Sequence, residues 1–80
     1  MSKVIVLDPG HGGSDPGAVA NGLREKDLTL DICKRIKRHL EDNYTGIKVH
    51  MTRTTDKYLS LSQRAQYANN KKADLFVSVH

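Results

Sequence analysis

His11 stands in the most glycine-dense stretch of the chain, Asp8-Pro9-Gly10-His11-Gly12-Gly13-Ser14-Asp15-Pro16-Gly17-Ala18. Glycines on both sides let the backbone turn tightly while it presents a single imidazole, a group that ligates metals or moves protons. The stretch is not a nucleotide cradle. Gly10 and Gly12 fit the first positions of GxGxxG, but Asp15 holds the third, and no Gly-Lys-Ser/Thr follows. Glu25 adds a carboxylate at the start of a helical pattern. On a wheel of about 100° per residue it falls within the arc of Leu28, Ile32, Ile36 and Leu40. Lys26, Asp27, Asp31, Lys34, Arg35, Lys37 and Arg38 occupy the opposite arc. A carboxylate aimed at the apolar side is costly unless something pairs with it. Either Glu25 caps the first turn, where the helix dipole favours an anion, or a cation awaits it. His80 supplies a third polar group at the end of an apolar run. Two imidazoles and a carboxylate match a catalytic zinc site, with three protein ligands and a fourth position for water. The same donors suit other divalent metals. His50 in mid-strand and His39 near a helix C-terminus fit that role less well.

These groups need elements that bring them together. Lys3–Asp8 (KVIVLD) is a β-branched run without alternation, closed by Pro9-Gly10, and predicts a buried strand. Residues 9–24 read as a loop of roughly 16 residues, far longer than an ordinary strand-to-helix connection and therefore a functional feature. Glu25–Asn43 predicts a helix, and Lys48–Arg53 a second strand. Ser60-Leu61-Ser62-Gln63 has the form of a capping box and predicts a helix running to about Lys71. Asp74–His80 predicts the third strand. The order β-α-β-α-β implies an α/β domain with a mainly parallel sheet flanked by helices. In such sheets ligands bind beyond the carboxyl ends of the strands, here Asp8 with its loop, Arg53 and His80.

The composition narrows the partners. Eighty residues, 38% hydrophobic and 28% charged, make one small globular domain with a thin core. The net charge of +4 permits an anionic partner without selecting one. The cluster Lys34-Arg35 and Lys37-Arg38 has no aromatic residues interleaved with it, so a nucleic-acid platform is not expected and a solvated helix face is. No apolar run approaches a membrane span, and Met1-Ser2-Lys3-Val4 leads into a strand without signal-peptide anatomy. The single Cys33 excludes an internal disulfide and a CxxC zinc knuckle, and reads as inert packing.

Taken together, Val6 through Gly13, Asp15 through Ala18, Glu25-Lys26, Thr52-Arg53 with Asp56, Leu61 with Arg64, Ala68-Asn69, and Ala73-Asp74 through Ser78-Val79-His80 resemble the zinc-dependent N-acetylmuramoyl-L-alanine amidases. The resemblance covers nearly the whole chain in order. It implies one zinc ion held by His11, Glu25 and His80. It also implies peptidoglycan as substrate, cleaved at the amide between N-acetylmuramic acid and L-alanine. Arg53, Asp56 and Arg64 match family positions too, and by their residue types read as a supporting ion-pair group. Asp8 or Asp15 is expected to orient a ligand imidazole, and the sequence does not choose between them.

In the family the general base is a glutamate far downstream. Glu41, the one other glutamate, falls on the polar arc some four turns from Glu25 and does not substitute. Residues 1–80 are accordingly expected to be the N-terminal part of a single amidase catalytic domain, an incomplete copy of a larger three-layer fold. The alternative reading is a zinc-bearing wall-binding or regulatory module without turnover. Without an export signal, a wall hydrolase of this kind is expected to leave by lysis, a phage-type pore or a non-standard route, as a lysin or an autolysin.

Overall fold

The computed structural model describes residues 2–80. Its elements are β1 (Lys3–Pro9), β2 (Val19–Ala20), β3 (Leu23–Arg24), α1 (Glu25–Asn43), β4 (Ile47–Met51), α2 (Leu61–Asn70) and β5 (Leu75–Val79). The main sheet has the order β4-β1-β5, and both pairings are parallel. β1, the most uniformly apolar run, takes the centre, where both its edges are bonded and both its faces covered. The register sets Leu7 opposite Met51 on one side and Val77 on the other, and Pro9 opposite Val79. All three strands therefore end at one side of the sheet, where the motif residues lie.

The core is Leu7, Cys33, Val49 and Met51, with Ile5, Leu30, Ile36, Leu40, Ile47, Val77 and Val79 packed around it. Cys33 is buried, and desolvation followed by the nearby Asp8 charge pushes its thiol up to about 11. It is a packing residue. The buried face of α1 is turned from the wheel's centre: Lys26, Thr29 and Cys33 are buried, whereas Leu28 and Ile32 are each 43% exposed. The polar groups Lys26 and Thr29 are drawn inward by carbonyls of the glycine-rich loop, a pull that hydrophobic periodicity does not register.

That loop is also shorter than its sequence implies. Asn21 (φ 52°) and Gly22 (φ 77°) form the two-residue turn of a hairpin in which Ala20 pairs with Leu23 and Val19 with Arg24. Positive φ at both central positions is the primed turn that Asn-Gly favours. The hairpin delivers the chain straight into α1. No side chain caps that helix; instead Glu25 N donates to Ala18 O and Lys26 N to Pro16 O. The loop's own carbonyls satisfy amides that a helix start leaves free, which binds the first turn to the loop. At α2 the capping box forms as its sequence predicts, with Ser60 Oγ accepting from Gln63 N and Ser60 N donating to Gln63 Oε1.

Candidate metal centre

His11 has a left-handed backbone (φ 63°), uncommon for a residue with a side chain and a conformation that concentrates at functional sites. The conformation turns its imidazole toward α1. Nε2 lies 3.2 Å from Glu25 Oε2, and Nδ1 lies 3.1 Å from Asp15 Oδ2. Glu25 is fixed by its other oxygen, which accepts Ala18 N at 2.7 Å. Asp15 is fixed by Gly17 N at 3.1 Å. The hydrogen bond with His11, then that from Gly17, holds the Asp15 carboxyl below its ordinary value. The His80 ring meets the His11 ring edge-on, with centroids 5.6 Å apart and planes at 89°.

Two glycines make this approach possible. A Cβ on Gly17, which has φ +69°, would stand 2.7 Å from Glu25 Cβ and 2.8 Å from His11 Cδ2. A Cβ on Gly10 would stand 2.5 Å from His80 Nδ1 and 2.8 Å from Val79 O. Each hydrogen in place of a methyl opens the space into which a neighbouring side chain fits.

The residues around these groups sort by what they touch. Asp8 is buried and does not reach His11. It accepts Thr52 Oγ1 and Arg64 Nη1, each at 2.7 Å, and Ser78 Oγ at 2.8 Å, tying the ends of the three main-sheet strands to α2. Asp15 is thus the carboxylate against the imidazole. Arg64, also buried, donates further to Pro9 O, His11 O and Leu59 O. Asp56 pairs with Lys26 Nζ at 2.8 Å and accepts Gly13 N at 2.7 Å. Those contacts, the lysine first, hold its carboxyl below the ordinary value. Arg53 joins no ion pair among the described residues and donates instead to Pro9 O, Thr55 O, Gly10 O and Lys26 O. Despite four buried charged residues, no buried side-chain nitrogen or oxygen among the described residues lacks a partner.

Sequence reasoning set Lys26 on the polar arc and gave Thr29 no role, whereas both are buried: Lys26 Nζ also donates to Gly13 O, and the Thr29 hydroxyl donates to Gly10 O at 2.7 Å. Tyr58 had no role in that reasoning, and Leu61 figured only in the capping box and the amidase resemblance. With His11, Asp15, Leu59, Arg64 and His80 they line a cavity of about 160 Å³ beside the imidazoles. A larger concavity of about 360 Å³ lies on the far flank of α1, lined by Lys34, Lys37, Arg38, Glu41, Asp42, Met51 and Thr54. Its charges are mixed and it holds none of His11, Asp15, Glu25 and His80, so the smaller cavity is the one beside the candidate metal ligands.

Among the described residues, no three His, Cys, Asp or Glu side chains are gathered as a ready-made metal cluster. His11 and Glu25 face each other, and His80 is next to them. The donor chemistry fits zinc: two imidazoles and a carboxylate, without thiolate. The Asp15 contact at Nδ1 is the arrangement that orients a metal-binding histidine and leaves Nε2 for the metal.

A parallel sheet with His11 in the loop after β1, beside Glu25 at the start of α1, and with His80 after β5, beside His11, defines an α/β domain with a candidate metal site at the carboxyl ends of its strands. The family model for N-acetylmuramoyl-L-alanine amidase matches residues 5–80, and the chain belongs to that family. It is 51% identical over 76 residues to a sporulation-specific N-acetylmuramoyl-L-alanine amidase of Bacillus subtilis, covering 95% of this chain and 30% of that protein. It is 52% identical over 80 residues to an endolysin of Bacillus phage SPP1, covering all of this chain and 29% of the endolysin. Among solved structures, the N-acetylmuramoyl-L-alanine amidase from Clostridium difficile 630 superposes with a TM-score of 0.93 at 42% identity, over 99% of this chain and 43% of that one. The catalytic domain of the amidase CwlV from Paenibacillus polymyxa gives 0.91 at 40% identity, over 98% and 44%. The chain thus spans under a third of these curated relatives and under half of the solved chains.

Proposed function

We propose that residues 1–80 form the front part of an amidase catalytic domain that hydrolyses the amide between N-acetylmuramic acid and L-alanine in peptidoglycan, and that His11, Glu25 and His80 hold its zinc ion. The observation that carries the metal reading is the placement of Glu25 Oε2 3.2 Å from His11 Nε2, while Asp15 holds the other ring nitrogen. When bound, zinc supplies Lewis acidity to the scissile carbonyl and lowers the pKa of a water to about 7.

The chain's own residues do the rest of the positioning. Asp15 keeps the Nδ1 proton of His11 in place. Glu25 is locked by Ala18 N, so its second oxygen is aimed at the imidazole. Tyr58 and Leu61 give the cavity an apolar side toward which the lactyl and alanyl methyl groups can turn. The proton of the attacking water must pass to the leaving amine. Asp15, the one carboxylate lining the cavity among the described residues, is engaged by His11 and Gly17. Glu41 lies on the polar flank with Lys37. The resemblance to the amidases implies that the general base is a glutamate outside residues 1–80. Action at the cell wall follows from the substrate, with release as a lysin or an autolysin.

The test is product analysis on purified peptidoglycan with the full-length protein. New L-alanine amino termini, abolished by chelation and restored by zinc, are the expected result. Chelator-sensitive zinc binding without new amino termini would replace this reading with that of a zinc-bearing module without turnover.

A further inference from the structure

Arg53 is 3% exposed and has no carboxylate partner among the described residues. A buried charge without a counter-charge is costly, and an apolar side chain of similar volume would fill the space more cheaply. Burial, and then the neighbouring Arg64 charge, holds the guanidinium below its usual pKa, so the environment opposes the cation. What the side chain gains is a set of neutral oxygens in a fixed pattern. Nε donates to Pro9 O at 3.1 Å, and Nη2 lies 2.9 Å from both Gly10 O and Lys26 O. Nη2 is also 3.3 Å from Thr29 Oγ1, which itself donates to Gly10 O.

The positions of those oxygens are informative. Pro9 and Gly10 immediately precede His11, and Lys26 immediately follows Glu25. One rigid planar group therefore grips the backbone beside each of two proposed zinc ligands that lie 14 residues apart in sequence. We propose that Arg53 is a positioning residue that sets the spacing of His11 and Glu25, and through that spacing the affinity of the site for zinc. Arg64 also holds Pro9 O and His11 O, but it pairs with Asp8 and makes no bond to the Glu25 side, so Arg53 alone of the two spans both ligands; the proposal rests on the zinc reading above.

In the full-length protein, Arg53→Lys keeps the charge but loses the fork. It is expected to weaken zinc binding about 10- to 100-fold in competition with a chromogenic chelator. In metal-free protein the His11 ring resonances should move while those of His39, on the outer face of α1, stay in place. Thr29→Val keeps the side-chain shape and removes the bridging hydroxyl. It tests the same link if Arg53→Lys fails to fold, and is expected to give a smaller loss in the same direction. A purely structural role would lower the unfolding midpoint and leave the zinc affinity of the folded protein unchanged. Zinc affinity within twofold of the parent in a folded variant would overturn the proposal while leaving the zinc site intact. A parent protein that binds no zinc would overturn both.

Discussion

Asp8 and Asp15 are the same residue type, seven positions apart in one loop motif, and the structure gives them opposite work. Asp15 touches His11, whereas Asp8 is buried beneath the loop with Arg64, Thr52 and Ser78. Asp15→Asn is expected to leave the fold intact and to weaken zinc affinity about 10- to 100-fold, because it removes the charge that orients the imidazole. Asp8→Ala is expected to cost about 3–5 kcal/mol in denaturant unfolding, because it strands the buried Arg64 guanidinium. A reversal of these effects would contradict the assignment. His11 and His80 were legible as candidates from residue type and strand-end placement, and Glu25 from its place on the helical wheel. The choice between the aspartates was not, since it depends on which way the loop folds over the sheet. Lys26 was equally hidden, because a lysine at the rim of the polar arc looks solvated until the carbonyl of Gly13 is known to lie above it.

At the scale of elements, the strand and helix order was legible because each element has a plain signal. β1 and β5 are apolar runs, α1 has its periodicity and α2 its capping box. The Asn21-Gly22 hairpin was read as plain loop, although the dipeptide is a strong turn signal, because its strands are two residues long and show no alternation. His50 illustrates what a strand register adds. On β4 it is surrounded by Lys48 of its own strand, Lys37 and Glu41 of α1, and Lys71 after α2. Burial and then Lys71, Lys48 and Lys37 hold its imidazole below 6.5, with Glu41 pulling the other way. As pH falls through 6.5 the unfolded chain takes up this proton before the folded one does. The stability is therefore complete above 6.5 and is lost as pH falls toward the lowered folded value. Urea midpoints at about pH 7.5 and about pH 5.5 should show a larger acid loss in the parent than in His50→Gln, and equal losses would contradict the placement.

Across the whole molecule, the two edges of the main sheet differ. On β4 the edge is guarded: Lys48 is exposed, and Lys37 Nζ donates to Val49 O at 3.1 Å. β5 has no such guard, and Leu75 and Phe76 are 53% and 40% exposed. An apolar edge left open pairs with other chains. The 80-residue chain studied by itself is expected to self-associate, and Phe76→Lys is expected to reduce the association in sedimentation. A monomeric parent at high concentration would contradict this. The exposed strand also accords with the share of its relatives that the chain spans, under a third of the curated sequences. Within the formal charge of +4, two basic residues of α1 are paired with acidic neighbours, Arg35 with Asp31 and Lys37 with Glu41. No helix among the described residues is long and apolar enough to cross a membrane.

The central claim is that His11, Glu25 and His80 hold a zinc ion. The direct measurement is zinc content with X-ray absorption at the zinc edge, on the full-length parent and on His11→Ala. The account predicts about one zinc per parent chain, with imidazole and carboxylate ligands and no sulfur, and its loss in the variant. Stoichiometric zinc retained in a folded His11→Ala protein, or a thiolate in the parent's coordination shell, would contradict it.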